Sequence, residues 1–167
     1  MALEYRKFSL NVNQQAPSGS LGIGLADGKI VWAGNAGTFP TSTYTSTIMT
    51  VLEVAQLYVS QIQAQSQRYI ETYMPQWRLN RWRRYYDLRN KVLASVALNT
   101  VEQAEYDCFP DLNETHTQCD AYVGPALQWC SLVVVEHNRV QFGMLAATTI
   151  EQILSVKGSL SYPQFLI

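Results

Sequence analysis

From Ile48 onward, apolar residues recur at helical spacing for roughly seven turns, at 3.6 residues per turn. Ile48, Val51, Leu52, Ala55, Tyr58, Val59, Ile62, Tyr69, Ile70 and Tyr73 fall within an arc of roughly 120° when successive residues are placed 100° apart. Thr50, Glu53, Gln61, Gln67, Arg68 and Glu71 lie on the other side. The pattern predicts an amphipathic helix over 47–73. Thr45, Ser46 and Thr47 are candidate N-caps, and Pro75 ends or kinks the helix. A helix of that length needs partners for its apolar stripe, so the rest of the chain is read for what covers it.

Residues 76–97 read as a second helix whose apolar residues form no single stripe. Leu79, Trp82, Tyr86 and Leu93 share one side, while Trp77, Tyr85, Leu88 and Val92 point elsewhere among arginines. A helix that is apolar on several sides is buried on several sides. Thr100-Val101-Glu102-Gln103 fits a capping box for a short helix to about Asp107. Residues 108–124 read as loop, and Pro125 suits the first position of a further helix. The stretch 126–156 reads as helix broken near Gly143. A hairpin through Leu132–Val135 and Val140–Phe142 is the competing reading.

Residues 5–33 read as extended. Phe8, Leu10 and Val12 alternate with polar neighbours, as in a half-buried strand. Leu21, Ile23 and Leu25 alternate with Gly22 and Gly24 ahead of Asp27-Gly28 and Ile30-Val31-Trp32, a hairpin signal because both turn positions need positive φ. The glycines leave one strand face bare, open to a neighbouring backbone. Residues 34–47 read as a linker. Phe165-Leu166-Ile167 forms an apolar end that should dock on this core or on a neighbour. The fold expected is mainly α: a helical bundle with an N-terminal extended arm and a short β-hairpin. The 167 residues suit one domain. Its parts would be the arm and hairpin (1–44), a helical core (45–107), and a loop, C-terminal helical or mixed segment and tail (108–167).

Composition then bears on function. Charged residues make up 15%, against about 25% in an ordinary soluble domain. Their place is taken by 14 Gln, 8 Asn, 12 Ser and 12 Thr. A free monomer keeps itself dispersed with charge, whereas interface cores are poor in charge and rich in aromatics and arginine. A net charge of −1 gives no global attraction to nucleic acid or membrane. The first ten residues carry Glu4, Arg6 and Lys7 without an apolar run, so no secretion signal is expected. No stretch approaches the roughly 18 apolar residues of a membrane span. Three cysteines argue against a disulfide framework and for a reducing compartment. Asn113-Glu114-Thr115 matches a glycosylation sequon, which without a secretion signal is read as chance.

The candidate chemistry is thin. Gly22-Ile23-Gly24 with Gly28 resembles a dinucleotide loop, but no helix follows, and a hairpin turn explains it. Cys108, His116, Cys119 and Cys130 have one short metal-ligand spacing and lack the second tight pair of a structural zinc site. Cys119 or Cys130 with His116 or His137 carries no local mark of an activated thiol. Glu102 and Glu105 read as acids in a helix first turn. No catalytic residue, metal or cofactor is expected.

One cluster stands out. Trp77 to Lys91 holds six of the twelve basic residues and a single acid. Trp77, Arg78, Arg81, Trp82, Arg84, Tyr85 and Arg89 are the candidate partner-binding residues, because Trp, Tyr and Arg are the favoured anchors of interfaces. Arg78, Arg81, Arg84, Arg89 and Lys91 could instead meet nucleic acid. A third reading is internal. Glu102, Glu105, Asp107, Asp111, Glu114 and Asp120 form a segment without Lys or Arg that could fold back on the basic helix or meet that of the next subunit.

Gln61-Ile62-Gln63-Ala64-Gln65-Ser66-Gln67-Arg68-Tyr69-Ile70, continuing through Trp77 to Lys91, is similar in texture to helical virion proteins of tailed bacteriophages. Those sit at the portal, neck or head-to-tail junction, or inside the head. The likeness covers about residues 45–100. It lies in composition and helical layout, so no residue role is carried over. It implies a ring-forming homo-oligomeric structural subunit, a connector or adaptor that touches other virion proteins. Such a subunit is assembled in the host cytoplasm, located in the virion and has no membrane partner. The alternative expectation is a small nucleic-acid-binding protein using helix 77–91.

Overall fold

The structure is a computed structural model that describes residues 3–37, 45–110 and 115–166. It is mainly helical with a small antiparallel sheet near the N-terminus. The elements run β1 (Tyr5–Leu10), β2 (Leu21–Ala26), β3 (Lys29–Asn35), β4 (Ser46–Ile48), α1 (Val51–Tyr73), α2 (Gln76–Leu93), α3 (Thr100–Cys108), α4 (His116–Leu145) and α5 (Ile150–Gly158). The chain groups into two compact units. One comprises Met1–Gln63 with His137–Leu160, the other Ala64–Glu136 with Ser161–Ile167. The segment 45–107, read from sequence as one helical core, is divided between them.

In the first unit the sheet order is β2-β3-β1-β4. The extended arm is therefore an inner strand, and Phe8 and Leu10 are buried where the period-2 pattern placed them. Asp27 and Gly28 both take positive φ, 51° and 72°, and turn β2 into β3. The regular alternation expected of Leu21, Ile23 and Leu25 is broken. Leu21 pairs with Ala33 and Leu25 with Ile30, with a register shift between Gly22 and Gly24. Ala33 and Ile30 are three residues apart and face opposite ways, so one inserted residue sends Leu21 and Leu25 to different faces. The space above Gly22 is filled by the Trp32 indole, which a Cβ there would meet at 3.6 Å. Among the described residues the nearest atoms there belong to that side chain, not to a backbone.

The linker reading of 34–47 needs correction. β3 continues to Asn35, and Ser46–Ile48 pairs with Phe8–Arg6 as β4. Residues 38–44 of that linker lie outside the described residues. Thr47 and Ile48 are β-branched and suit a strand as well as a helix start. The true cap of α1 is Thr50. Its Oγ1 accepts from the Glu53 N–H at 3.1 Å, and the Glu53 carboxylate accepts from the Thr50 N–H at 2.8 Å. This is a capping box.

One sheet face joins α1, α4 and α5 in a core built on Ala33, Val54, Ile62, Val140, Met144 and Ile153. Tyr5 and Tyr58 meet hydroxyl to hydroxyl at 2.6 Å inside it. Burial and that contact push the Tyr58 phenol well above its ordinary range. The other face closes over Phe8, Leu10, Ala16 and Trp32.

Gly143 does not break the helix. It lies inside α4, where a Cβ would come within 2.8 Å of Val156 Cγ1 on α5. The missing side chain lets the two helices approach. Gly143→Ala should therefore destabilise the fold by about 1–3 kcal/mol through overpacking, read by urea denaturation. Adding Val156→Ala should recover part of the loss. A Gly143→Ala chain as stable as the parent would show that the approach is not tight.

In the second unit α4 starts nine residues before Pro125. Thr115 caps it, accepting from the Gln118 N–H through Oγ1 at 3.3 Å, while Gln118 accepts from the Thr115 N–H at 2.6 Å. The loop expected over 108–124 is thus helical from His116. Its Asp111, Asn113 and Glu114 lie outside the described residues, so of the sequon only Thr115 is described. Pro125 sits inside the helix because Cys119, Val123, Ala126, Trp129, Cys130 and Val133 are a buried stripe that runs across it. Their burial outweighs the backbone hydrogen bond that proline removes. The hairpin reading of 132–142 is overturned by the same continuous helix. α3 is capped one residue earlier than expected, by Asn99 with Glu102.

Candidate functional site

α2 turns Leu79, Tyr85 and Leu88 inward. Tyr85 is 1% exposed, stacked on Tyr106 at 5.6 Å and edge-on to Phe109 at 5.2 Å. Tyr106 stacks in turn on His116 at 4.1 Å. His116 Nδ1 is buried without a hydrogen-bond partner. The Tyr85 hydroxyl shares its proton between Asp120 Oδ1 at 2.8 Å and the His116 carbonyl at 3.0 Å. Burial, then Asp120, pushes this phenol above its ordinary range. Arg89 Nε donates to the other Asp120 oxygen at 2.7 Å. The carboxylate accordingly ties two α2 side chains to α4.

The remaining pairs run from α2 to α3. Arg84 meets Glu105 through Nε and Nη2 at 2.9–3.0 Å, a bidentate grip suited to the planar guanidinium. Lys91 Nζ lies 2.5 Å from Glu102. The acidic segment thus folds back on the basic helix of its own chain. Lys91, and next the Asn99 N–H, hold the Glu102 carboxyl below the usual range. A carboxyl with a depressed folded pKa stabilises the fold above its unfolded value and loses that contribution as pH falls through the folded one. Thermal melts should therefore show stability dropping below about pH 4.5. Glu102→Gln should lower the neutral-pH melting temperature and flatten that acid slope. An unchanged slope would mean that the pair is not coupled to folding.

Of the seven residues singled out in the sequence, the structure uses Arg81, Trp82, Arg84, Tyr85 and Arg89 inside the chain, Trp82 half-buried against the clusters around Leu79 and Tyr85. Tyr85 cannot anchor a partner while buried, which corrects that expectation: its hydroxyl and its ring are both committed to α3 and α4. Arg78 lies over the Trp77 and Trp82 rings at 5.4 and 5.8 Å. Arg81 lies 5.3 Å over Phe109 and donates to the Cys108 carbonyl. Trp77 remains 64% exposed.

Cys108 is exposed, whereas Cys119 and Cys130 are buried. Burial raises the Cys130 thiol, the wrong direction for a thiolate nucleophile. Among the described residues no group of three or more His, Cys, Asp or Glu is placed to hold a metal ion. A void beside Cys119 and Tyr122 has room for about one water molecule, too little for a substrate. No helix among the described residues is long and apolar enough to cross a membrane.

What sequence reasoning missed is on α4. In the second unit its buried stripe is Ala126, Trp129, Cys130 and Val133. Leu132, Val134 and Val135 are 48%, 47% and 62% exposed, and Val135 falls on the far side of the helix from that stripe. The α4 residues of the first unit include Phe142, also largely exposed. The run from Leu132 to Val135 is visible in the sequence, but its division into buried and exposed positions depends on where the helix starts. Comparison with protein-family models, with curated proteins and with solved structures finds no match to this chain.

Proposed function

We propose that this chain is a non-enzymatic structural subunit of a larger homo-oligomeric assembly, of the connector or adaptor kind that the resemblance to bacteriophage virion proteins implies. The observation that carries the reading is the set of large apolar residues exposed on α4, Leu132, Val134, Val135 and Phe142. A helix with large apolar residues on the side away from its own core is buried on both sides in its working state. The low charge content of the whole chain supports the same reading, as do the uncharged outer strand β2 and the exposed Leu93, Val96 and Val101 about the α2–α3 turn. An uncharged edge strand is suited to adding strands across subunits.

The basic helix now plays a different part. Its Arg84, Arg89 and Lys91 meet acids of the same chain, which leaves a nucleic-acid role less charge than the sequence offered. Sedimentation velocity across a range of concentrations tests the proposal. The expected result is a species heavier than the 18.9 kDa chain. A single monomer at every concentration would overturn it.

A further inference from the structure

The two outer strands of the sheet in the first unit are finished differently. β4 spans only three residues, and its Thr47 and Ile48 stand opposite the charged Lys7 and Arg6 of β1. Shortness and charge are the usual guards of an open edge. β2 spans six residues, Leu21–Ala26, with no charge and no proline, and all but Leu21 are exposed. Ile23 is 39% and Leu25 78% exposed, and a Cβ built on Gly24 meets nothing within 4 Å. Its one guard is the bulge between Gly22 and Gly24, beyond which Gly24, Leu25 and Ala26 pair regularly with Val31, Ile30 and Lys29.

Bulge and turn together define what fits this edge. Ala26 stands opposite Lys29 across the two-residue turn, a place where the backbone bonds run inward to β3. Inward and outward residues alternate along an antiparallel strand, so Gly24 also bonds inward and the N–H and C=O of Leu25 point out from the edge. Outward backbone groups call for an extended strand. That strand must also cover Ile23 and Leu25 and bring no charge to them. The β2 of a second copy does both. A two-fold axis at Gly24 sets the strands antiparallel, as throughout this sheet. Ile23 of each copy then lies opposite Leu25 of the other, two apolar cross-strand pairs. Neighbouring registers fail. An axis at Ile23 would oppose Leu25 with Leu21, which the bulge turns to the other face, and an axis at Leu25 would oppose Ile23 with Asp27.

We propose that β2 is a self-pairing edge, through which two copies of the chain join their four-stranded sheets about a two-fold axis at Gly24. The inference deepens the assembly reading above and rests on it. So short a contact acts beside the exposed residues of α4 and does not replace them.

The test is a disulfide formed across the axis. Opposed Cα atoms in a pair without mutual hydrogen bonds lie about 4.5 Å apart, within disulfide range. Gly24→Cys, made in the full chain with Cys108→Ser to remove the exposed thiol, should give a covalent dimer on mild oxidation with glutathione disulfide. Gly24 has open space above it and no positive φ, so the substitution suits the fold. Ala26→Cys in the same background is the control, because its two copies are offset by about 13 Å along the strands. Adding Leu25→Lys to Gly24→Cys removes both apolar pairs and should slow cross-linking about tenfold. In the unsubstituted chain the Leu25 amide should exchange with solvent more slowly as concentration rises. Equal cross-linking from positions 24 and 26, or none from either, with Leu25 exchange independent of concentration, would overturn the pairing. Sedimentation of the unsubstituted chain separates the two ideas. A heavy species without preferential cross-linking at position 24 defeats self-pairing and leaves the assembly standing, whereas a monomer throughout defeats both.

Discussion

Tyr85→Ala should lower the free energy of unfolding by about 3–5 kcal/mol, the range for removing a large aromatic side chain from a packed core. The ring packs on Tyr106 and Phe109 in a cluster that includes Leu88. Its loss also leaves Asp120 holding Arg89 alone. Tyr85→Phe separates the two contributions. It keeps the rings and removes only the hydroxyl, at a cost of about 1.5–3 kcal/mol for a hydrogen bond to a charged acceptor. Urea denaturation measures both. A Tyr85→Ala chain within about 1 kcal/mol of the parent, the size of an average substitution, would return Tyr85 to the role of a partner anchor. The alternative roles make opposite predictions: an exposed anchor costs assembly and spares folding, whereas a core residue costs folding first.

The double substitution Leu132→Glu with Val135→Glu should have the reverse profile. Both side chains are about half exposed or more, so their replacement should change the stability of the isolated chain by about 0.5 kcal/mol or less per site. If the far side of α4 is covered in the assembly, two carboxylates there must be desolvated or excluded. An unpaired buried charge costs several kcal/mol, equivalent to a loss of at least about 100-fold in association. Sedimentation should shift from the heavy species to the 18.9 kDa monomer, with a helical circular-dichroism spectrum like that of the parent. An unchanged heavy species would place the interface elsewhere. Val133→Glu, at a position with no exposure, is the contrast: it should unfold the second unit.

Much of the fold was legible because its signals are local. Asp27-Gly28 specified a turn through backbone φ. The stripe from Val51 to Tyr73 specified a helix, and Pro75 its end. Phe8 and Leu10 marked a strand. The misreadings share one cause, a local signal overridden by a contact distant in sequence. Thr45 to Thr47 looked like a cap until β1 offered Ser46–Ile48 a partner. Gly124-Pro125 looked like a boundary until the stripe from Cys119 to Val133 found a core on both sides of it. The order of Leu21, Ile23 and Leu25 looked regular until pairing with β3 required a shift.

The candidate site divides the same way. The basic cluster of α2 and the acidic segment after it were both visible, and so was the possibility that they meet. Which acid takes which base, and that Asp120 also holds Tyr85, was not visible, because side chains 31 and 35 positions apart are joined only by packing. The sequence by itself determined the period of each strong element, its turns and the low charge of the surface, since these follow from neighbours along the chain. Only the tertiary structure decided that Tyr85 is core, that Leu132, Val135 and Phe142 of α4 stay exposed, and that Tyr162 and Phe165 pack on Tyr69, Tyr73 and Trp129. Burial is a property of what packs against a residue, and that is set by the whole chain.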